Sequence, residues 1–311
     1  MSLALLALGS ALAWETDQLS ARSTPLSDLT DKADAHLQAI IAQAIAATNE
    51  ATGCQASPQE AHRILAREIH HRVGKPAAVE GRGWLRGRGY NEYGAWVEDQ
   101  PEASWLHNDA HIYAELTLLR GPVLHIAGVC STVLLAGQRV GVDKLDHFLG
   151  MGHAYWERSD FGRDLDQAVA WGTQTERQFY GMNTSLAFSF ADLRANLDGY
   201  RFYAGLLGPE GVAAPDTDGC LVATQPFSWA RWIDWRYDEL LNPPVYTRSA
   251  ARAVTERLEA EREVVCAIYA REREEIEALQ ARAFREPDDS VLGKAPPRTD
   301  PYRLDELCSA R

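Results

Sequence analysis

Apolar residues recur at helical spacing along much of the chain. Between residues 26 and 51, Leu37, Ile40, Ile41, Ala44 and Ile45 fall on one stripe, with Asp28 or Thr30 as the cap, which predicts an amphipathic helix. Ser57 followed by Pro58 marks a second helix start, and Ala61, Ile64, Leu65 and Ile69 carry that helix to about Val73. Residues 74–111 lose the periodicity; Gly81, Gly83, Gly87 and Gly89 alternate with arginines and with Trp84, Tyr90, Tyr93 and Trp96, which predicts irregular structure.

From Leu116 to Val140 the chain turns β-like, and one hairpin is expected, closing through Gly137-Gln138. The next segment, GVDKLDHFLGMGHAYWERSD, spaces Leu145, Phe148, Leu149, Met151 and Tyr155 as a helix capped by Asp143 and ending near Arg158. A further helix starts at about Asp164 and stops at Gly181, with Leu165, Ala168, Val169, Gly172 and Phe179 towards one face. Ser189 and Asp192 then form a start resembling a capping box for the helix that runs to about 206.

GPEGVAAPDTDG reads as a surface loop, and PFSWARWIDWRYDELLNPPVY as an aromatic-rich segment stopped by two prolines. Over 248–285 a charge-rich stretch keeps Val254, Leu258, Val265, Tyr269, Ile276 and Leu279 on a narrow stripe, which predicts one long surface or interface helix; 286–311 reads as a tail. The organisation is therefore 1–13 as a possible signal peptide, 14–247 as a mainly helical domain, then the long charged helix and the tail.

Composition narrows the function. A formal charge of −13, with 44 acidic against 31 basic side chains, opposes binding to nucleic acid, which needs a clustered basic surface. Residues 1–13 are apolar and end in Ala11-Leu12-Ala13, a small-x-small cleavage pattern that points to export; the usual basic start is missing, which leaves a start further upstream or an ordinary N-terminal helix as the readings. No other stretch reaches the roughly 18 uninterrupted apolar residues of a membrane span. The five cysteines show no CxxC pair, so no zinc knuckle is expected; after export they allow one or two disulfides with one thiol left over.

Asp143-Lys144-x-x-His147 is the sharpest local motif. Its Asp and His share a helix face at i,i+4, but they are only two ligands for a metal, so the reading is a helix cap plus a hydrogen-bonded histidine that supports or orients a site. Glu176 is the candidate acid. It lies near the end of an apolar helix beside Phe179 and Tyr180, where partial desolvation would lift its pKa towards neutrality. Tyr180 and Asn183 could line a cleft, Ser189 is a helix cap that could also touch substrate, and the aromatics of 84–96 or 229–246 could form its wall. Of the histidines, His70-His71 and His107/His111 remain candidates, although His107 and His111, at i,i+4 in a segment without helical periodicity, read as surface residues; neither a GxSxG elbow nor a Cys–His pair is signalled.

GVDKLDHFLGMGHAYW, TERQFYG and SFADLRANLDGYRFY resemble a family of bacterial envelope proteins that includes a lysozyme of predatory bacteria acting on deacetylated peptidoglycan. The resemblance covers roughly 137–246, about a third of the chain. It implies a lysozyme-like helical fold in which a catalytic Glu at a helix end precedes a short hairpin and another helix. It places the catalytic acid on Glu176 and a site tyrosine on Tyr246, and it implies cleavage of the peptidoglycan glycan strand in the periplasm or outside the cell, without metal or cofactor. No second carboxylate stands where a two-carboxylate glycosidase would show one. The alternative is a non-enzymatic periplasmic scaffold that uses 252–284 to bind a partner or a second copy.

Overall fold

The computed structural model describes residues 15–74, 91–106, 109–116, 129–178, 181–285 and 295–309. The expectations for the 1–13 leader, Trp84, Tyr90, His107, Phe179, Tyr180 and the 122–128 stretch lie outside them. Among the described residues the architecture is mainly helical, with three two-stranded antiparallel sheets, and no helix is long and apolar enough to cross a membrane.

After a single turn α1 (Gln18–Ala21), helices α2 (Thr30–Thr52) and α3 (Pro58–Val73) pack side by side. Ser57 caps α3 as the sequence indicates, accepting from the Glu60 amide with Pro58 in the first turn, whereas the cap position of α2 is neither Asp28 nor Thr30 but Leu29, which makes no side-chain cap bond, and Asp28 just before it accepts from the Thr30 amide at 2.7 Å. Helix α4 (Glu92–Glu98) leads towards the hairpin β1 (Thr132–Leu135) and β2 (Gln138–Gly141). Its turn is Ala136-Gly137, one position earlier than expected, with φ of 53° and 73°. Two successive left-handed residues match the right-handed twist of the paired strands, which is why a glycine is needed here.

The helix expected over 143–158 has three parts: α5 (Val142–Asp146), a π turn (His147–Met151) and α6 (Gly152–Arg158). Asp143 is not its cap. Gly141 occupies that position, and the Asp143 carboxylate turns inward to Lys144 at 2.6 Å. Helix α7 (Leu165–Gln178) is capped by Asp164, which accepts from the Gln167 amide at 3.0 Å. A second π turn (Gly181–Ser185) and the left-handed Leu186 (φ 65°) then deliver the short strand β3 (Ala187–Phe188). π turns and left-handed non-glycine residues both cost energy, and they concentrate at sites where geometry matters.

Helix α8 (Phe190–Ala204) crosses α6 at very close range, because Gly152 and Gly199 face each other and a methyl on either would strike the opposite backbone. Residues 208–219 are not simply a loop. β4 (Ala213–Pro215) pairs with β5 (Leu221–Ala223), and Asn49 of α2 bonds both the amide and the carbonyl of Leu221. The Cys54–Cys220 disulfide fastens the same corner. β6 (Val245–Tyr246) pairs with β3, placing Tyr246 opposite Ala187.

The long C-terminal helix is two helices, α9 (Arg248–Ala260) and α10 (Arg262–Arg285), and α10 is kinked again at Glu272. That kink serves an ion pair: Glu272 receives Arg22 at 2.7 Å, while the same guanidinium holds Asp238 at 2.6 Å. Val254, Leu258, Val265, Tyr269 and Ile276 are buried as expected, but inside the chain's own second core, with Leu19, Ile112, Tyr113 and Leu240. Nor is 295–309 a tail. Tyr302 and Leu304 are buried, α11 (Leu304–Ser309) follows, and Cys308 is bonded to Cys266 of α10. Cys130 remains a free, buried thiol, so two disulfides and one odd cysteine are realised.

Candidate functional site

The first turns of α5 and α8, the end of α7 and residue 239 converge on a buried polar cluster. Lys144 is its hub. Its Nζ lies 2.6 Å from Asp143 Oδ2, 2.6 Å from Asp192 Oδ1 and 2.7 Å from Glu239 Oε1. Those three carboxylates come close enough together to resemble a cation site, and the lysine ammonium fills that role with its three donors. A buried charge is tolerated only when paired and hydrogen-bonded, and Lys144 is fully enclosed.

His147 extends the network. Its Nε2 faces Asp192 Oδ2 at 3.2 Å and its Nδ1 lies 2.9 Å from Asn196 Oδ1; the Asn196 amide in turn donates to the Tyr155 hydroxyl at 3.3 Å. Asp192 and Asn196 stand at i,i+4 on α8, and the close Gly152–Gly199 crossing brings that face to His147. His153, beyond the π turn, stacks on His70 at 4.1 Å instead of joining the cluster.

Glu176 closes the cluster from α7. Only 3% of it is exposed, and its Oε1 accepts the Ser189 amide at 3.0 Å. Ser189 caps α8 by accepting from the Asp192 amide at 3.1 Å, and its hydroxyl donates to Glu239 Oε1 at 2.7 Å. The expected capping box is thus half realised. The reciprocal acceptor of the Ser189 amide is Glu176, not Asp192, because Asp192 is held by two cations.

The charges sort themselves by environment. Burial alone would raise Asp192, but His147 and Lys144 hold it well below the usual carboxylate range. Burial would lower His147, yet Asp192 overrides this and lifts its pKa to about 9. Glu176 is pushed to about 8, first by burial and then by the Asp192 charge. Burial and the neighbouring carboxylates also raise Glu15 well above its ordinary value. At neutral pH the interior therefore keeps Lys144 and His147 cationic, Asp192 anionic and Glu176 a neutral acid. Neighbouring carboxyl groups with opposite shifts are how one site can hold both a proton donor and a fixed negative charge.

The structure thus brings together Asp143, His147, Glu176 and Ser189. Tyr246 sits one strand away: its hydroxyl is 3.0 Å from that of Tyr113 and 3.3 Å from that of Tyr302, and Tyr302 donates to the Glu239 carbonyl at 3.4 Å. Asn183 is exposed and donates to the Gln178 carbonyl. The aromatic wall does not form from Tyr93, Trp229 or Tyr237, which are buried core; the Trp229 indole donates to the Tyr93 hydroxyl at 2.9 Å. An aromatic-rich segment has more apolar area to bury than a cleft can use, and it goes inside.

The Asp143-Lys144-x-x-His147 motif contains Lys144 but gives it no role, and Glu239 and Glu15 are not signalled in the sequence at all. Lys144 carried a signal, a lone cation between Val142 and Leu145 at i−3 to His147, whereas Glu15 and Glu239 lie far away along the chain in segments that show no local pattern. Among known proteins, no family model, no curated protein and no solved structure matches this chain.

Proposed function

We propose that the protein is a lysozyme-like peptidoglycan glycoside hydrolase, exported to the periplasm or beyond, with Glu176 as the proton donor. The observation that carries this reading is a buried carboxyl whose pKa is pushed to about 8 and whose Oε1 is fixed by the Ser189 amide. Such an acid is still protonated at neutral pH and can protonate a leaving-group oxygen as the glycosidic bond breaks. The order helix end, Glu176, short strand, helix follows the resemblance described above except that no hairpin intervenes among the described residues: a π turn leads into β3, which pairs instead with the distant β6 and sets Tyr246 opposite Ala187. A protein of charge −13 attracts the free ammonium groups of deacetylated glycan through its long-range field. Two disulfides suit an oxidising compartment.

One observation favours the scaffold reading: Glu176 is enclosed, and it lines none of the four cavities bounded by Phe190, Ile112, Phe227 and Tyr302. Acetylated and deacetylated sacculi digested with the native protein and with Glu176→Gln, the released fragments read by mass spectrometry, decide between them. Hydrolysis requires fragments from the native protein and none from the variant, at matched thermal melts. Release at the native rate by Glu176→Gln, or no release by either protein, overturns the hydrolase.

A further inference from the structure

Residues 295–309 lie against three segments that surround the acid cluster. Arg298 stands 3.6 Å over the ring of Phe190, the residue after Ser189, and donates to Asn242 Oδ1 at 2.7 Å. The Tyr302 hydroxyl is 3.3 Å from that of Tyr246 and donates to the Glu239 carbonyl at 3.4 Å. Tyr302 is buried, and Cys308 ties the segment to Cys266 of α10.

This attachment runs through side chains. Among the described residues no backbone hydrogen bond joins 295–309 to another element, residues 295–300 have no regular structure, and α11 is six residues long. Such a segment can lift without breaking a helix or a sheet ladder, and segments of this kind open at the low end of the range of local stabilities. It is also a wall of two cavities. Arg298 lines one of about 570 Å³ together with Phe190 and Asn242, and Pro301 and Tyr302 line another of about 430 Å³ together with Leu258.

We infer that 295–309 is an autoinhibitory strap: closed, it keeps the glycan from the Tyr246 and Glu239 side of the acid cluster, and it is latched by Cys266–Cys308. This rests on the hydrolase reading. Tyr246 and Glu239 are both buried with the strap in place, so substrate meets them only in the fraction of molecules in which it has lifted. Apparent activity then scales with that fraction, and the native chain works slowly.

The experiment compares the full, disulfide-bonded chain with Cys266→Ser/Cys308→Ser and with Tyr302→Phe, which loses a hydroxyl and keeps the ring. Hydrogen exchange read by mass spectrometry over β6, the first turn of α8 and 302–309 measures opening, with α2 as the control for global unfolding. Fragment release from deacetylated sacculi measures activity. The cysteine variant is expected to exchange and to release fragments at least about tenfold faster, because the disulfide no longer favours the closed state. Tyr302→Phe is expected to move both in the same direction by less. If α2 quickens as well in the cysteine variant, Tyr302→Phe decides: the inference stands on a rise in both readouts there and falls without one. Unchanged exchange in both variants, or faster exchange with release at or below the native rate, overturns the strap and leaves the hydrolase standing. Release by none of the three proteins removes the hydrolase reading itself, and the strap with it.

Discussion

The amide of Ser189 donates to Glu176 Oε1 at 3.0 Å while the hydroxyl of the same serine donates to Glu239 Oε1 at 2.7 Å. One helix cap therefore ties the candidate acid of α7 to the lysine-centred cluster, and the start of α8 cannot shift without disturbing both. Local capping and the electrostatics of the site are one structure.

That coupling gives stability a definite pH dependence. Glu176 is raised from about 4.5 to about 8, so the unfolded chain ionises first and stability is lost as pH rises through this window. His147 is raised from 6.5 to about 9, so its contribution is complete below 6.5 and is lost as pH climbs through 9. Thermal melts from pH 5 to 9.5 should fall on the alkaline side, and Glu176→Gln should flatten the fall. An identical profile for the variant would show that Glu176 ionises normally.

Lys144→Met should destabilise the fold by about 3–5 kcal/mol, because it leaves three carboxylates facing one another without their shared cation. Adding Glu239→Gln removes one of those charges and should recover part of the loss. Urea denaturation of Lys144→Met, Glu239→Gln and the double variant measures both effects, and strict additivity would refute the shared ion pair.

Gly199→Ala should cost about 1–3 kcal/mol despite its better helix propensity, since the methyl meets the Phe148 carbonyl and the Gly152 backbone across the α6–α8 crossing. Gly150→Ala meets open space and is expected to be neutral or mildly stabilising. Melting temperatures of the pair separate crowding from propensity.

Replacing Cys266 and Cys308 by serine should lower stability by about 2–5 kcal/mol, through loss of the link between α10 and α11. Proteolysis should then begin around Tyr302 and Leu304, which pack in the second core beside the link. Unchanged protease resistance would show that packing of Tyr302 and Leu304 is sufficient.

Most helices were legible because each depends on information within a few residues. The stripe through Leu37, Ile41 and Ile45, the Ser57-Pro58 start, and Ser189 as a cap all express backbone and burial requirements that repeat every turn. Where reading failed locally, a distant partner had intervened. Asp143 gave up capping for Lys144, the 248–285 helix broke at Glu261 and kinked at Glu272, which meets Arg22, and the 208–219 loop became a hairpin under the grip of Asn49 and Cys220.

The sequence by itself determined a mainly helical protein, the helix faces that are buried, the thiol left over, and Glu176 at a helix end next to a break. Only the tertiary structure decided that Glu176 is a neutral buried acid, that Lys144 substitutes for a cation among three carboxylates, and that five arginines share one cavity. The reason is physical: helix formation is governed by neighbours along the chain, whereas a protonation state is set by burial and by charges such as Asp192, which folding brings from elsewhere in the sequence.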